Sequence, residues 1–323
     1  MTIRPVYTTA LGGAYVGDAL DLIRRLPEKS VNLIITSPPF ALQRKKEYGN
    51  ESADDYVAWF IRFAWEFKRV LTDDGSLVID IGGSWIKGSP VRSVYHFELV
   101  VALVRQLGFY LAEEFFWVNT AKLPSPAEWV TVRRVRVKDA VNCVWWMSPK
   151  PHPKANNRNV LKPYSPSMLT LFETGYKAKL RPSGHDISTN FSQRNDGAIP
   201  PNLLSFANTE SNSRYQRLCR QSGITVHPAR YPISLPTFFI KFLTDSNDIV
   251  LDPFAGSNVT GEAAEQLGRR WLAFDLVDEY IQGSRFRFDD AVLTAKSRAP
   301  TGLLRTQRAV PAAPPKLPRA NTR

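Results

Sequence analysis

Cysteine is nearly missing from this chain of 323 residues, which holds only Cys143 and Cys219. Two thiols at that spacing build neither a disulfide framework nor a metal-binding cluster. No apolar run approaches the roughly 20 residues that span a bilayer, and Met1 to Ala10 carry neither a hydrophobic stretch nor a cleavage-like site. No internal repeat is visible. Acidic residues are outnumbered, with 30 Asp and Glu against 42 Lys and Arg and a net charge of +12. Together these shortages predict a soluble cytoplasmic protein without membrane or metal, and a polyanionic partner.

The cations are unevenly spread. Residues 1–150 hold 19 Lys and Arg against 16 Asp and Glu, residues 151–230 hold 11 against 4, and residues 291–323 hold 7 against none. The C-terminal stretch is rich in Pro, Ala and Arg and has no periodicity, so it reads as a disordered basic tail. The internal excess falls where regular patterning stops. From Pro149 to about Pro228 the chain is rich in Pro, Asn, Ser and Arg, too long for a simple loop, and is read as an insert.

On either side of the insert the pattern is α/β. A β-branched run over Val31–Thr36 stops at Ser37-Pro38-Pro39, and Tyr56, Phe60, Phe63, Phe67 and Leu71 then recur at helical spacing. Asp73-Asp74-Gly75 predicts a turn into a strand over Ser76–Ile81. A helix follows near His96 to Leu107, then two aromatic strands around Phe115–Val118 and Ala140–Met147; Trp145 and Trp146 read as sheet core. After the insert come a helix near Leu235 to Leu243, a strand Ile249–Asp252, a helix near Val259 to Leu267 and a strand Trp271–Asp275. Such alternation predicts a doubly wound, mostly parallel sheet with ligands beyond its strands' carboxyl ends.

Two polar turns lie at that edge. Asp252-Pro-Phe-Ala-Gly-Ser joins a strand to a helix, and its glycine lets a ligand approach the backbone. Asp275 ends the next strand, where a carboxylate can take up ribose hydroxyls. By itself this pair is equally an ordinary βα turn with a capping aspartate. Ser37-Pro38-Pro39-Phe40 is more pointed. The exocyclic amine of a base is a poor nucleophile because its lone pair is delocalised, so methylating it calls for two acceptors aimed at its N–H groups. The Ser37 hydroxyl and a carbonyl held by the prolines supply them, and Phe40 can stack on a base rotated out of a duplex. No covalent cysteine is needed for such a displacement.

Thr36-Ser37-Pro38-Pro39-Phe40, together with Asp252-Pro-Phe-Ala-Gly-Ser-Asn258, resembles the amino-methyltransferases of bacterial restriction–modification systems. The order of catalytic turn, variable segment and cofactor turn is that of their circularly permuted β class. The resemblance runs from about Tyr15 to Phe286 and is strongest to the PvuII-type cytosine-N4 enzymes, through Phe40–Asn50, Lys122–Pro126, Arg181–Ile187, Ile199–Leu204 and His227–Arg230. It implies a Rossmann-like S-adenosylmethionine (AdoMet) methyltransferase fold with an inserted target-recognition region. Residues 1–150 would be the catalytic half, 151–226 the target region, 227–290 the AdoMet half and 291–323 the tail.

The resemblance also implies roles. Ser37, Pro38, Pro39 and Phe40 form the catalytic turn; Asp18, Asp252, Phe254, Gly256, Ser257 and Asp275 hold the cofactor, Asp275 standing where the PvuII-type pattern has glutamate. Arg44, Lys45 and Lys46 are candidate phosphate clamps, and Arg181, His185, Arg194 and Asn202 candidate base or phosphate contacts. Double-stranded DNA is the expected partner, a cognate endonuclease the functional counterpart, and a monomer the expected state. Serine at the head of the tetrapeptide goes with cytosine N4, and CAGCTG is the target the resemblance suggests. An adenine-N6 enzyme is the near alternative; an RNA methyltransferase and a non-catalytic DNA-binding protein are more distant ones.

Overall fold

In the computed structural model, residues 4–41, 51–175, 193–209, 213–290 and 299–304 are described, with the short strands 179–180 and 186–187 and Leu293. The strands are β1 (Tyr7–Thr8), β2 (Gly12–Val16), β3 (Val31–Thr36), β4 (Leu71–Ile81), β5 (Tyr110–Val118), β6 (Val141–Ser148), β7 (Lys179–Leu180), β8 (Asp186–Ile187), β9 (Leu203–Ser205), β10 (Ile249–Asp252) and β11 (Arg270–Asp275). The helices are α1 (Ala19–Ile23), α2 (Tyr56–Val70), α3 (Tyr95–Arg105), α4 (Pro166–Thr174), α5 (Arg214–Gln221), α6 (Ser234–Leu243), α7 (Val259–Gln266) and α8 (Asp278–Ser284).

Nine strands form one sheet in the order β1-β2-β11-β10-β3-β4-β6-β5-β9. The run β2-β11-β10-β3-β4 is parallel, and β6 turns antiparallel between β4 and β5. The parallel strands are buried on both faces, which is why they read as continuous apolar runs without alternation. One face is covered by α1, α2 and α3 around Phe60, Phe67, Leu77 and Leu99; the other by α6 and α7 around Phe239, Val250, Ala263 and Trp271. The α2 stripe is as read, with Tyr56, Phe60, Phe63, Phe67 and Val70 buried.

The turn expected at Asp73-Asp74-Gly75 is instead part of β4. It begins at Leu71, and the pairing with β3 slips between Val31 and Leu33, so the extra residues are absorbed as an irregularity inside the strand. Trp145 and Trp146 are sheet core, and the Trp146 indole donates to Ser76 Oγ at 2.9 Å. Part of the insert joins the main body: β9 pairs in parallel with β5, and α5 packs beside α8. Among the described residues, no helix is long and apolar enough to cross a membrane.

From β10 the chain proceeds to β11 on one side, and from β3 to β4 on the other. The junction of β10 and β3 is therefore the topological switch point, where an open α/β sheet leaves a crevice at its carboxyl edge. Ser37 and Pro253 are the first residues past those two strands.

Candidate active site

At the end of β3, pairing of Thr36 with Ile79 sets Ser37 beside Asp80 of β4. The Ser37 hydroxyl donates to Asp80 Oδ2 at 3.0 Å, and Asn142 Nδ2 of β6 donates to Asp80 Oδ1 at 3.0 Å. Asp80 is buried, and burial lifts its carboxyl to about 6, although both hydrogen bonds pull the other way. With its proton committed to Asp80, the Ser37 oxygen keeps its lone pairs for another donor. Phe40 packs over Gly82, where a Cβ would lie 2.7 Å from Phe40 Cε2. The Tyr95 hydroxyl donates to Gly82 O and accepts from the Ala41 amide, pinning the far end of the tetrapeptide to β4.

Across the switch point, Asp252 closes β10. Thr36 Oγ1 donates to its Oδ1 at 2.8 Å and the Phe254 amide to the same oxygen at 3.2 Å; Thr260 Oγ1 and the Tyr231 hydroxyl donate to Oδ2 at 2.6 and 3.1 Å. Burial raises this carboxyl to about 6 against those donors. Asp252 thus ties the acceptor turn to the glycine turn, and its oxygens are occupied by the protein itself.

The glycine turn follows. Gly256 has φ +50, and a Cβ there would meet the His227 ring at 2.9 Å. Asn258, also left-handed at φ 57, caps α7 by accepting from Gly261 N at 3.0 Å. Ser257 is held from behind by Arg287, which donates to its Oγ at 2.9 Å and its carbonyl at 2.5 Å. Phe254 packs on Trp59 and Phe63 of α2, with ring centroids 5.8 and 5.1 Å away. Asp275, at the end of β11, accepts from Gly256 N at 2.8 Å and Val277 N at 2.9 Å, with a further bond from the Leu276 amide; burial dominates and raises its pKa. A carboxylate has about four acceptor sites, so one remains. Asp18 Oδ1 caps α1 through Leu20 N at 2.8 Å.

All of this opens on one cleft of about 650 Å³, lined by Asp18, Ser37, Pro38, Pro39, Phe40, Asp252, Phe254, Ser257 and Asp275 among others. Every proposed catalytic residue therefore faces the same space as the proposed cofactor residues, with Gly256 in the turn between Phe254 and Ser257. Its size is that of a small-molecule site. Its donor set suits an adenosyl group: an aromatic wall of Trp59, Phe63 and Phe254, a spare carboxylate site at Asp275, and a backbone close approach at Gly256.

The DNA-contact candidates are less gathered. Arg44, Lys45, Lys46, Arg181 and His185 lie outside the described residues. The Arg194 guanidinium sits 5.6 Å from the Phe172 ring, and Asn202 Nδ2 donates to Glu114 O at 2.8 Å, docking the insert on β5. Sequence reasoning assigned no role to Asp80, Asn142, Tyr95 or His227. A carboxylate inside the apolar run Leu77-Val78-Ile79-Asp80-Ile81 was the available signal for the first. Asn142 and Tyr95 have no such signal, because only strand pairing and helix docking bring them in.

An acceptor turn and a glycine turn facing one cleft across a permuted, doubly wound sheet define a methyltransferase of the amino-directed class. Within it, the chain belongs to the family described as DNA methylase, whose N4/N6 model matches residues 31–286. The type II methyltransferase M.PvuII of Proteus hauseri is 51% identical over 290 residues, covering 89% of this chain and 86% of that protein. The solved PvuII DNA methyltransferase (cytosine-N4-specific) superposes with a TM-score of 0.74 at 45% identity, over 89% of this chain and 90% of that one. A DNA modification methylase of Thermus thermophilus, TTHA0409, solved with S-adenosyl-L-methionine, shares the fold at a TM-score of 0.56 and 20% identity, over 88% and 96% of the two chains.

Proposed function

We propose that the chain transfers a methyl group from AdoMet to the N4 amino group of cytosine in duplex DNA, as the modifying half of a restriction–modification system. The observation that carries this reading is the Ser37–Asp80 hydrogen bond inside a cleft shared with the glycine turn. Because the hydroxyl donates to Asp80, it accepts one amino N–H of a flipped cytosine, and the backbone carbonyl of the proline turn accepts the other. These acceptors draw the nitrogen toward the tetrahedral geometry it needs for attack, while Phe40 covers the base.

AdoMet contributes a methyl on a cationic sulfur and departs as the neutral thioether. The N4 lone pair forms the new N–C bond as the C–S bond breaks, and the nitrogen then sheds one proton. Ser37 lies between that proton and Asp80, whose buried carboxylate at about 6 is basic enough to receive it. Phe254, Gly256, Asp18 and the spare site of Asp275 hold the adenosyl group; Asp252 and Ser257 brace the turn. The insert, with Arg181, His185, Arg194 and Asn202, reads the target, and Arg44, Lys45 and Lys46 grip phosphate. The chain works as a monomer in the cytoplasm, on the chromosome, against a partner endonuclease of the same specificity, with CAGCTG as the target.

Labelled AdoMet and duplex DNA test this directly. N4-methylcytosine in the digested product, mapped to one palindrome, is expected. N6-methyladenine as the sole product would overturn the base assignment, and transfer to structured RNA in preference to DNA would overturn the substrate.

A further inference from the structure

Residues 1–150 look nearly neutral as a block, but their excess charge has one address. Five of the 19 cations and two of the 16 acids lie between Asn119 and Asp139, leaving 14 of each elsewhere. This stretch is the excursion between β5 and β6, and it rises from the rim of the cleft: Trp117, Asn119, Lys122 and Asn142, at its two feet, all line it. Asn208, beyond β9, also lines the cleft and its amide donates to Asn119 Oδ1 at 3.2 Å, so the excursion stands next to the insert.

The excursion is built to hold its shape while exposed. The Trp129 carbonyl at a π-helical turn (Glu128–Val132) accepts the amides of Val135 and Arg136 at 2.9 and 3.1 Å, and Arg133 N closes the turn on Glu128 O at 2.9 Å. Both acids are already neutralised, Glu128 by Arg133 at 2.7 Å and Asp139 by Arg92 at 2.5 Å. Of the remaining cations Lys122 faces the cleft, and the other three have no carboxylate among the described residues. Arg136 and Lys138 bond only to carbonyls there, and exposed Arg134 makes no side-chain bond to the described residues while held left-handed at φ 54. Val132 and Val137, on either side, are 69% and 87% exposed. A bulky residue in that backbone region is strained, and such strain collects at functional segments.

We infer that this excursion is a second DNA-binding element, in which Arg134, Arg136 and Lys138 grip the phosphates flanking the flipped nucleotide, opposite the insert. The inference rests on the proposed action on duplex DNA. Phosphate contacts release counterions, so each one lost removes about 0.9 from the slope of log affinity against log salt.

The test is duplex-DNA affinity over a salt series for the full chain, with Arg134→Ala, Arg134→Gly and the Arg134→Ala/Arg136→Ala pair. Arg105→Ala, at the end of α3, removes the same charge elsewhere. Arg134→Gly suits the left-handed backbone, so a folding defect cannot explain its loss of binding. For either single variant, the defect relative to wild type should shrink about threefold when salt is raised fourfold. The pair should lose about twice the slope, cognate and unrelated duplexes should suffer alike, and AdoMet affinity should hold. Slopes matching that of Arg105→Ala would overturn the inference. A wild-type chain that bound duplex DNA without salt dependence would overturn the proposed function as well, a result distinguishable from the first.

Discussion

Replacing Asp80 by Asn changes almost nothing in volume and should nearly abolish turnover. In the wild type, Ser37 donates to Asp80 Oδ2 and Asn142 donates to Oδ1, so the residue at position 80 must accept on both sides. An amide has only one oxygen. With that oxygen on Asn142, its NH2 faces Ser37 and donates to the serine oxygen, taking up a lone pair intended for the cytosine amine. One preorganised polar contact is then lost in the transition state, worth about 2.7–4 kcal/mol by analogy with other such sites. At about 1.4 kcal/mol per tenfold, kcat falls about 100- to 1,000-fold. AdoMet affinity should stay at the wild-type level, because the cofactor residues are untouched. Thermal stability should hold or rise, since the substitution removes a carboxylate whose burial raises its pKa from 3.8 to about 6. Single-turnover methylation with isothermal titration of AdoMet separates these terms. A kcat near wild type, or parallel losses of turnover, AdoMet affinity and melting temperature, would refute the acceptor role.

Four more outcomes follow from the same geometry. As pH falls through about 6, Asp80 gains a proton that it can donate to Ser37, so wild-type kcat should drop on the acid side; Asp80→Asn should lack that limb, and a limb that persists there belongs to Asp252. Ser37→Ala should cost kcat far more than AdoMet affinity, and an equal loss of both would make Ser37 a structural residue. Gly82→Ala would put a methyl 2.7 Å from Phe40 Cε2 and 3.1 Å from Asn142 Oδ1, so kcat/KM for DNA should fall while AdoMet binding holds. Asp252→Ala leaves the hydroxyls of Thr36, Thr260 and Tyr231 without their buried acceptor, and should cost about 3–5 kcal/mol in urea unfolding. Lost AdoMet affinity at unchanged stability would make Asp252 a cofactor contact instead.

Much of this protein was legible from local pattern. Val31–Thr36, Ile249–Asp252 and Trp271–Asp275 are buried on both faces, so their apolar runs announce a parallel sheet wherever they fall in the chain. The turns that stop them carry the chemistry at the carboxyl edge, because backbone groups end their ladder there and are free for a ligand. The order of those turns was enough to reveal the permutation. At β4 local pattern misled: an Asp-Asp-Gly turn signal was absorbed by a register slip against β3, since pairing along the rest of the strand outweighs a local preference.

What only the tertiary structure decided is which groups each turn residue meets. Thr36 and Asp252 are 216 positions apart, and their hydrogen bond exists only because β3 and β10 are neighbours at the switch point. Asp80, Asn142 and Ser37 come from three separate segments, and Ser37 becomes an acceptor toward substrate only once a buried carboxylate takes its proton. The basic excursion at Asn119–Asp139 was invisible in a charge count over half the chain, because remote acids cancel cations in a sum but not across space. Sequence determined which residues are present and how each segment folds; the sheet order determined their partners, and hydrogen bonds and ion pairs act only over a few ångströms.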